Sequence, residues 1–234
     1  MNTVHLSEPD EVMRELQSDD AEVRRSFEEE FSENIADFCK YFAESWSAFL
    51  SFQREVRNDK QRAYVACIIM SVLNNAFTSL KLFISGYSIP AGNLMRQAIE
   101  SIAVALLCSS RTQIHLPGKK ESIDYFHAHS MKDQRTKAHR ALIVLGENIK
   151  MLGIEAKSVE ILKKQQKSYH DSSHTSHLSL MNMVSLGKEN DIYIGSSYDK
   201  AKEDFYRHEI ISRVDFCKII PNLIQGISEN MRTP

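Results

Sequence analysis

The stretch AEVRRSFEEEFSENIADFCKYFAESWSAFLSFQREV, residues 21–56, decides the fold class. Within it Val23, Phe27, Phe31, Ile35, Phe38, Phe42, Trp46 and Phe49 recur at intervals of three and four. That is one apolar stripe on a 3.6-residue period, the signature of an amphipathic helix. Glu28, Glu29, Glu33, Asp37, Lys40 and Glu44 lie mainly off the stripe. Unbroken from Ala21 to Val56, such a helix would be roughly 54 Å long at 1.5 Å per residue. Helices of that length usually belong to a bundle or a dimer.

Working outward, Ser7, Pro9 and Asp10 open a short helix that reaches about Gln17. On the other side, Asn58 or Asp59 can cap a helix near Lys60 to Ser85. It is apolar almost all round, which predicts the core helix of the bundle, and Gly86 is placed to end it. Ala63 to Ile84 is long enough to span a bilayer, but Asn74, Asn75, Thr78, Ser79 and Lys81 interrupt it, so a buried helix is expected and no membrane. Pro90 opens the next helix, and Pro117-Gly118 breaks the chain after it. Glu121 to Leu152 reads as helical with a kink near Ser130, Gly153 ends it, and Glu155 to about Tyr169 is a shorter basic helix. Residues 186–198 read as a loop with room for a short hairpin. Asp199 can cap a last long helix to about Asn230.

The whole chain of 234 residues, with 42% hydrophobic and 26% charged residues and a net charge of −2, has globular values. Only 8 Gly and 5 Pro punctuate it, which argues against an all-β fold with many turns. The expected architecture is therefore all-α, a single-domain bundle of about six to eight helices with long N-terminal and C-terminal helices. Residues 1–56 supply acidic helices that flank it, and 57–234 its core. Cys39, Cys67, Cys108 and Cys217 have no CxxC spacing and sit among apolar neighbours, which predicts buried reduced thiols in a reducing cytoplasm. Residues 1–37 hold twelve acidic and three basic side chains, and residues 132–167 nine basic and four acidic. These are either solvated faces or surfaces for charged partners. No signal peptide, Gly-rich phosphate loop or GxSxG elbow is present.

Two segments carry possible chemistry. In PAGNLMRQAIE, residues 90–100, Arg96 and Glu100 share a helix face between apolar neighbours. A charged pair there is costly unless satisfied. It either locks helix register or lets Arg96 meet an anion while Glu100 orients a base. In YHDSSHTSH, residues 169–177, His170, His174 and His177 fall on one face of a helix, beside Tyr169, Ser173 and Ser176. Three imidazoles so placed can bind a metal, move protons, or simply satisfy one another. A further pattern is the pair Asp124-x-x-His127 and Asp171-x-x-His174. With a carboxylate from each of two other helices, Glu100 and a guess at Glu44, it would resemble a di-metal bundle site, although Asp replaces the usual Glu.

At these segments the chain resembles a group of bacterial all-helical proteins of unknown function. The likeness rests on Pro90, Gly92, Leu94, Arg96 and Glu100, then on Tyr169, Ser173, His174 and Ser176, and continues through Ile194, Gly195 and Tyr198. Such proteins are similar to the HEPN-like class of helical bundles, many of which act in phage defence or toxin–antitoxin pairs. HEPN-like nucleases carry an Arg and a His with four to six residues between them. Here Arg111 to His115 and Arg135 to His139 have only three intervening residues. If the resemblance implied ribonuclease activity, His174 would be general acid/base, Arg96 would stabilise the phosphorane and Tyr169 would position phosphate, with no metal. The sequence thus leads to a cytoplasmic helical protein with a buried Arg/Glu/Tyr/His site, needing no cofactor. That site would bind an anionic small molecule or support a homodimer, with an RNA-directed HEPN-like enzyme and a di-metal protein as alternatives.

Overall fold

The computed structural model describes residues 8–118, 121–173, 184–186 and 195–232. The helices are α1 (Pro9–Gln17), α2 (Ala21–Arg54), α3 (Lys60–Ile84), α4 (Ser88–Ser109), α5 (Tyr125–Ser130), α6 (Ala141–Glu147), α7 (Ala156–Ser173) and α8 (Glu203–Asn230). The chain is all-α, as the periodicity predicts. Among the described residues the only sheet is a two-residue pair, β1 (Ile114–His115) with β2 (Ser122–Ile123), joined antiparallel with Ile114 opposite Ile123.

The stripe that decides the fold does what its spacing requires. Phe27, Phe31, Phe38, Phe49 and Phe52 of α2 are buried in one core together with α3, α4 and α8. Each such side chain contributes about 1.5–3 kcal/mol of burial. The stripe is not carried on a perfectly regular rod: Phe31 has φ −121° and ψ 23°, a break in the helical dihedrals inside α2.

Helix ends follow local chemistry. The Asp59 carboxylate accepts from the Arg62 N–H at 3.0 Å and so caps α3. Gly86 ends that helix with φ +86°, and a Cβ there would lie 2.4 Å from the Ser197 backbone nitrogen, so only glycine fits. Glu55, at the end of α2, draws Arg62 and Arg232 to it and ties α2 to α3 and to the end of α8. Within α8, Pro221 has no N–H to donate to the Cys217 carbonyl one turn back. The buried Ser45 hydroxyl on α2 lies 3.0 Å from that carbonyl and 2.8 Å from its own Tyr41 carbonyl, and shares its single proton between them. A proline inside one helix is thereby matched to a serine on its neighbour.

Three expectations are corrected. The central helix is α4, not α3: fourteen of its 22 residues are buried, against ten of 25 in α3. α3 is long and apolar enough to cross a membrane, yet only 39% of its most apolar window is buried. Residues 121–152 do not form one kinked helix. Asp124 and Asp133 each cap a new short element, and Lys132 takes φ 58°, so the segment divides into β2, α5, 3-10 turns at Gln134–Thr136 and Ala138–Arg140, and α6. Such local side-chain caps compete with continued helix. The hairpin considered within 186–198 falls largely outside the described residues. Finally, Cys108 and Cys217 are buried, but Cys39 and Cys67 are exposed.

Candidate functional site

The site is built where α3, α4, α7 and α8 meet. Arg96 on α4 donates from Nε to Glu100 Oε1 at 2.9 Å, one helical turn away. Both side chains are mostly enclosed, with 22% and 12% of their surface exposed. From α7, Gln166 Nε2 reaches the same Glu100 oxygen at 3.2 Å and the His139 carbonyl at 3.3 Å. One carboxamide therefore joins the α4 ion pair to the basic turn before α6. Two turns back on α4, Gly92 packs beside Tyr169: a Cβ on Gly92 would make an ordinary 3.6 Å contact with the Tyr169 ring. The two helices thus run past each other with Gly92 beside Tyr169 and Glu100 beside Gln166.

Behind Tyr169 lies a second ion pair that sequence reasoning missed. Arg213 of α8 is completely buried. Its Nη1 donates to the Glu209 carboxylate at 2.8 Å, to the Glu209 carbonyl at 2.7 Å and to the Tyr169 hydroxyl at 3.3 Å. Its Nε donates to Ser79 Oγ on α3 at 3.0 Å, and Ser79 in turn donates to the Ala91 carbonyl at the start of α4 at 2.7 Å. The guanidinium lies 4.5 Å from the Phe83 ring centroid and 5.6 Å from that of Tyr169. Its Nη2 has no hydrogen-bond partner among the described residues. One side chain from α8 thereby organises α3, α4 and α7.

Electrostatics follow from this enclosure. Burial alone would lower the Arg213 pKa, but Tyr169 and Glu209 outweigh it and hold the guanidinium charged above its ordinary range. Burial pushes the Tyr169 hydroxyl well above the usual phenol range, against the pull of Arg213. Tyr169 is therefore a neutral donor and acceptor at physiological pH. Arg213 was legible in principle. Tyr206, Ile210, Cys217, Ile220, Ile224 and Ile227 form the buried stripe of α8, and Arg213 falls in that register at spacings of three and four. A charge in the middle of an apolar stripe, with Glu209 four residues before it, is the same signal that singled out Arg96 and Glu100.

Of the residues predicted for the site, Arg96 and Glu100 are bonded to each other, whereas Tyr169 packs beside Gly92 and bonds to Arg213. His170 is exposed on the next position of α7. Asp171 and Ser173 belong to the last turn of α7, with side chains outside the description, and His174, Ser176 and His177 lie outside the described residues. Asp124 is engaged as the cap of α5, accepting from the His127 N–H at 2.9 Å. Glu44 is exposed on α2. Among the described residues no group of three or more His, Cys, Asp or Glu side chains is placed to hold a metal ion. Arg111 pairs with Asp59, and the His115 N–H and carbonyl bond to the Asn148 carboxamide. A surface hollow between α2 and α8, lined by Phe52, Glu55, Ser228 and Arg232, includes none of the site residues.

Compared with known proteins, the chain matches no family model, no curated protein and no solved structure.

Proposed function

We propose that the junction of α4 and α7 binds a small anion, a phosphate- or carboxylate-bearing molecule, at Arg96, and that the protein acts by binding rather than turnover. The observation that carries this reading is the bridge made by Gln166, which links the Glu100 carboxylate to the His139 carbonyl. It brings the enclosed Arg96–Glu100 pair under a rim whose exposed neighbours in the chain are basic: Lys137 and Arg140 beside His139, Lys163 and Lys167 either side of Gln166. A guanidinium carries five N–H donors, so an anion oxygen can join Arg96 while its Nε stays with Glu100, adding a charge-assisted hydrogen bond rather than replacing one. Behind it, the buried Arg213 and Tyr169, with Glu209 and Ser79, hold α3, α4, α7 and α8 in place around the pair. The same reading keeps the protein in a reducing cytoplasm. Cys108 and Cys217 are compatible with it as inert thiols, since burial pushes both above the ordinary range, Cys217 to about 12.

The test is thermal unfolding and titration calorimetry with inorganic phosphate, against chloride at matched ionic strength. Selective binding raises the melting temperature with the logarithm of ligand excess over Kd. Phosphate is expected to stabilise the native chain and to leave Arg96→Gln unmoved. Equal shifts in both proteins, or none in either, would remove Arg96 as the anion site.

A further inference from the structure

α3 is a long, strongly apolar helix, and its outer side is uncovered. Between Lys60 and Lys81 its exposed positions include Cys67, Met70, Ser71, Asn74 and Phe77, and none is charged. Met70 and Phe77 keep 43% and 51% of their surface exposed. The patch continues onto α2: Phe42 packs on Phe77 with ring centroids 5.4 Å apart and stacks on Trp46 at 6.5 Å, and both are only partly buried. Cys39 and Ala43 extend it, both exposed. An exposed, largely apolar face of this size is often an interaction surface.

We propose that this face is the interface of a homodimer, formed by α3 packing antiparallel on its own copy about a two-fold axis near Asn74. Size fits first. From Ala63 to Lys81 the arc runs about 27 Å, and two helices side by side are about 20 Å wide. The footprint, roughly 540 Å² in projection and more as accessible surface, is on the scale of the ~800 Å² that each partner of a specific complex buries. Charge and shape fit next. Antiparallel pairing centred on Asn74 sets Phe77 against the partner's Ser71 and Met70 against the partner's Thr78, large against small, as isologous packing needs. The two Lys81 side chains are then about 21 Å apart along the helices, beyond the roughly 8 Å screening length, whereas parallel pairing would oppose like lysines. The one strongly polar group at the centre, the Asn74 carboxamide, is both donor and acceptor and can bond to its own copy across the axis.

Sedimentation equilibrium tests the proposal. The native chain is expected at twice its 26.8 kDa mass at micromolar concentration. The double variant Met70→Glu, Phe77→Glu is expected at the single-chain mass with unaltered helical circular dichroism. Because that variant could lose its fold, a second measurement stands beside it. Asn74→Cys, in a background with Cys39→Ser and Cys67→Ser, is expected to form a covalent dimer on mild oxidation, since a residue on the axis meets itself. A native chain at the single-chain mass overturns the proposal, including one that binds neutral phospholipid vesicles through this helix instead. So does a dimer that persists in the folded double variant, or one that Asn74→Cys fails to cross-link.

Discussion

Replacing Glu209 by alanine strands a charge in the core. Arg213 has no surface exposed, and Glu209 Oε2 at 2.8 Å is the only carboxylate bonded to it among the described residues. In Glu209→Ala the guanidinium keeps the Glu209 backbone carbonyl, Ser79 and Tyr169, all neutral. The lost attraction is about 4 kcal/mol for charge centres ~4 Å apart at an effective dielectric of about 20. Removing one partner of a buried pair costs about 3–5 kcal/mol, for the same reason. Urea denaturation followed by helical circular dichroism should then show the midpoint falling by roughly 1.5 M, if the slope is about 2.5 kcal/mol/M. The companion variant Glu209→Ala, Arg213→Met removes both charges and fills the space with an apolar chain. It should recover most of the loss, because a buried ion pair seldom outperforms well-packed apolar groups. A Glu209→Ala cost below about 1 kcal/mol, a value typical of exposed ion pairs, would refute the reasoning. So would a double variant no more stable than the single.

Two further outcomes follow from the packing. Ser45→Ala leaves the Cys217 carbonyl, already deprived of its helical donor by Pro221, without a partner, and should cost about 1–3 kcal/mol in thermal or chemical unfolding; Pro221→Ala in that background restores the missing N–H and should return part of it. His129 accepts from or donates to the Tyr64 hydroxyl at 2.8 Å, and burial lowers its pKa below the ordinary 6.5. The unfolded chain therefore takes up a proton that the folded chain resists, so stability present above pH 6.5 declines as pH falls from there toward the folded pKa. His129→Phe should flatten that part of the stability–pH curve, and an unchanged slope would show that His129 does not set it.

Much of this architecture is readable from residue order, because helices report themselves through period. The α2 stripe, the Asp59 cap, the Gly86 stop and the Arg96–Glu100 pair each depend on residues within about one or two turns of one another, where backbone geometry alone sets what meets what. Residues 121–152 depart from a continuous helix for an equally local reason. Their apolar side chains suggest helix, but Asp124 and Asp133 offer their carboxylates to nearby N–H groups and cut the segment into short pieces.

What the order of residues could not decide is which apolar helix ends inside and which pairs meet across the core. α3 is apolar nearly all round, yet α4 takes the centre and one side of α3 is left outside, a choice made by how α2, α7 and α8 share the available surface. Arg213 becomes the middle of the site only when α8 carries it between Phe83 and Tyr169 and against Ser79. Those residues are far apart in the chain, and their meeting is fixed by the packing of whole helices rather than by any local preference. Tertiary structure therefore decided the site, whereas the 3.6-residue rhythm had already decided the class of fold.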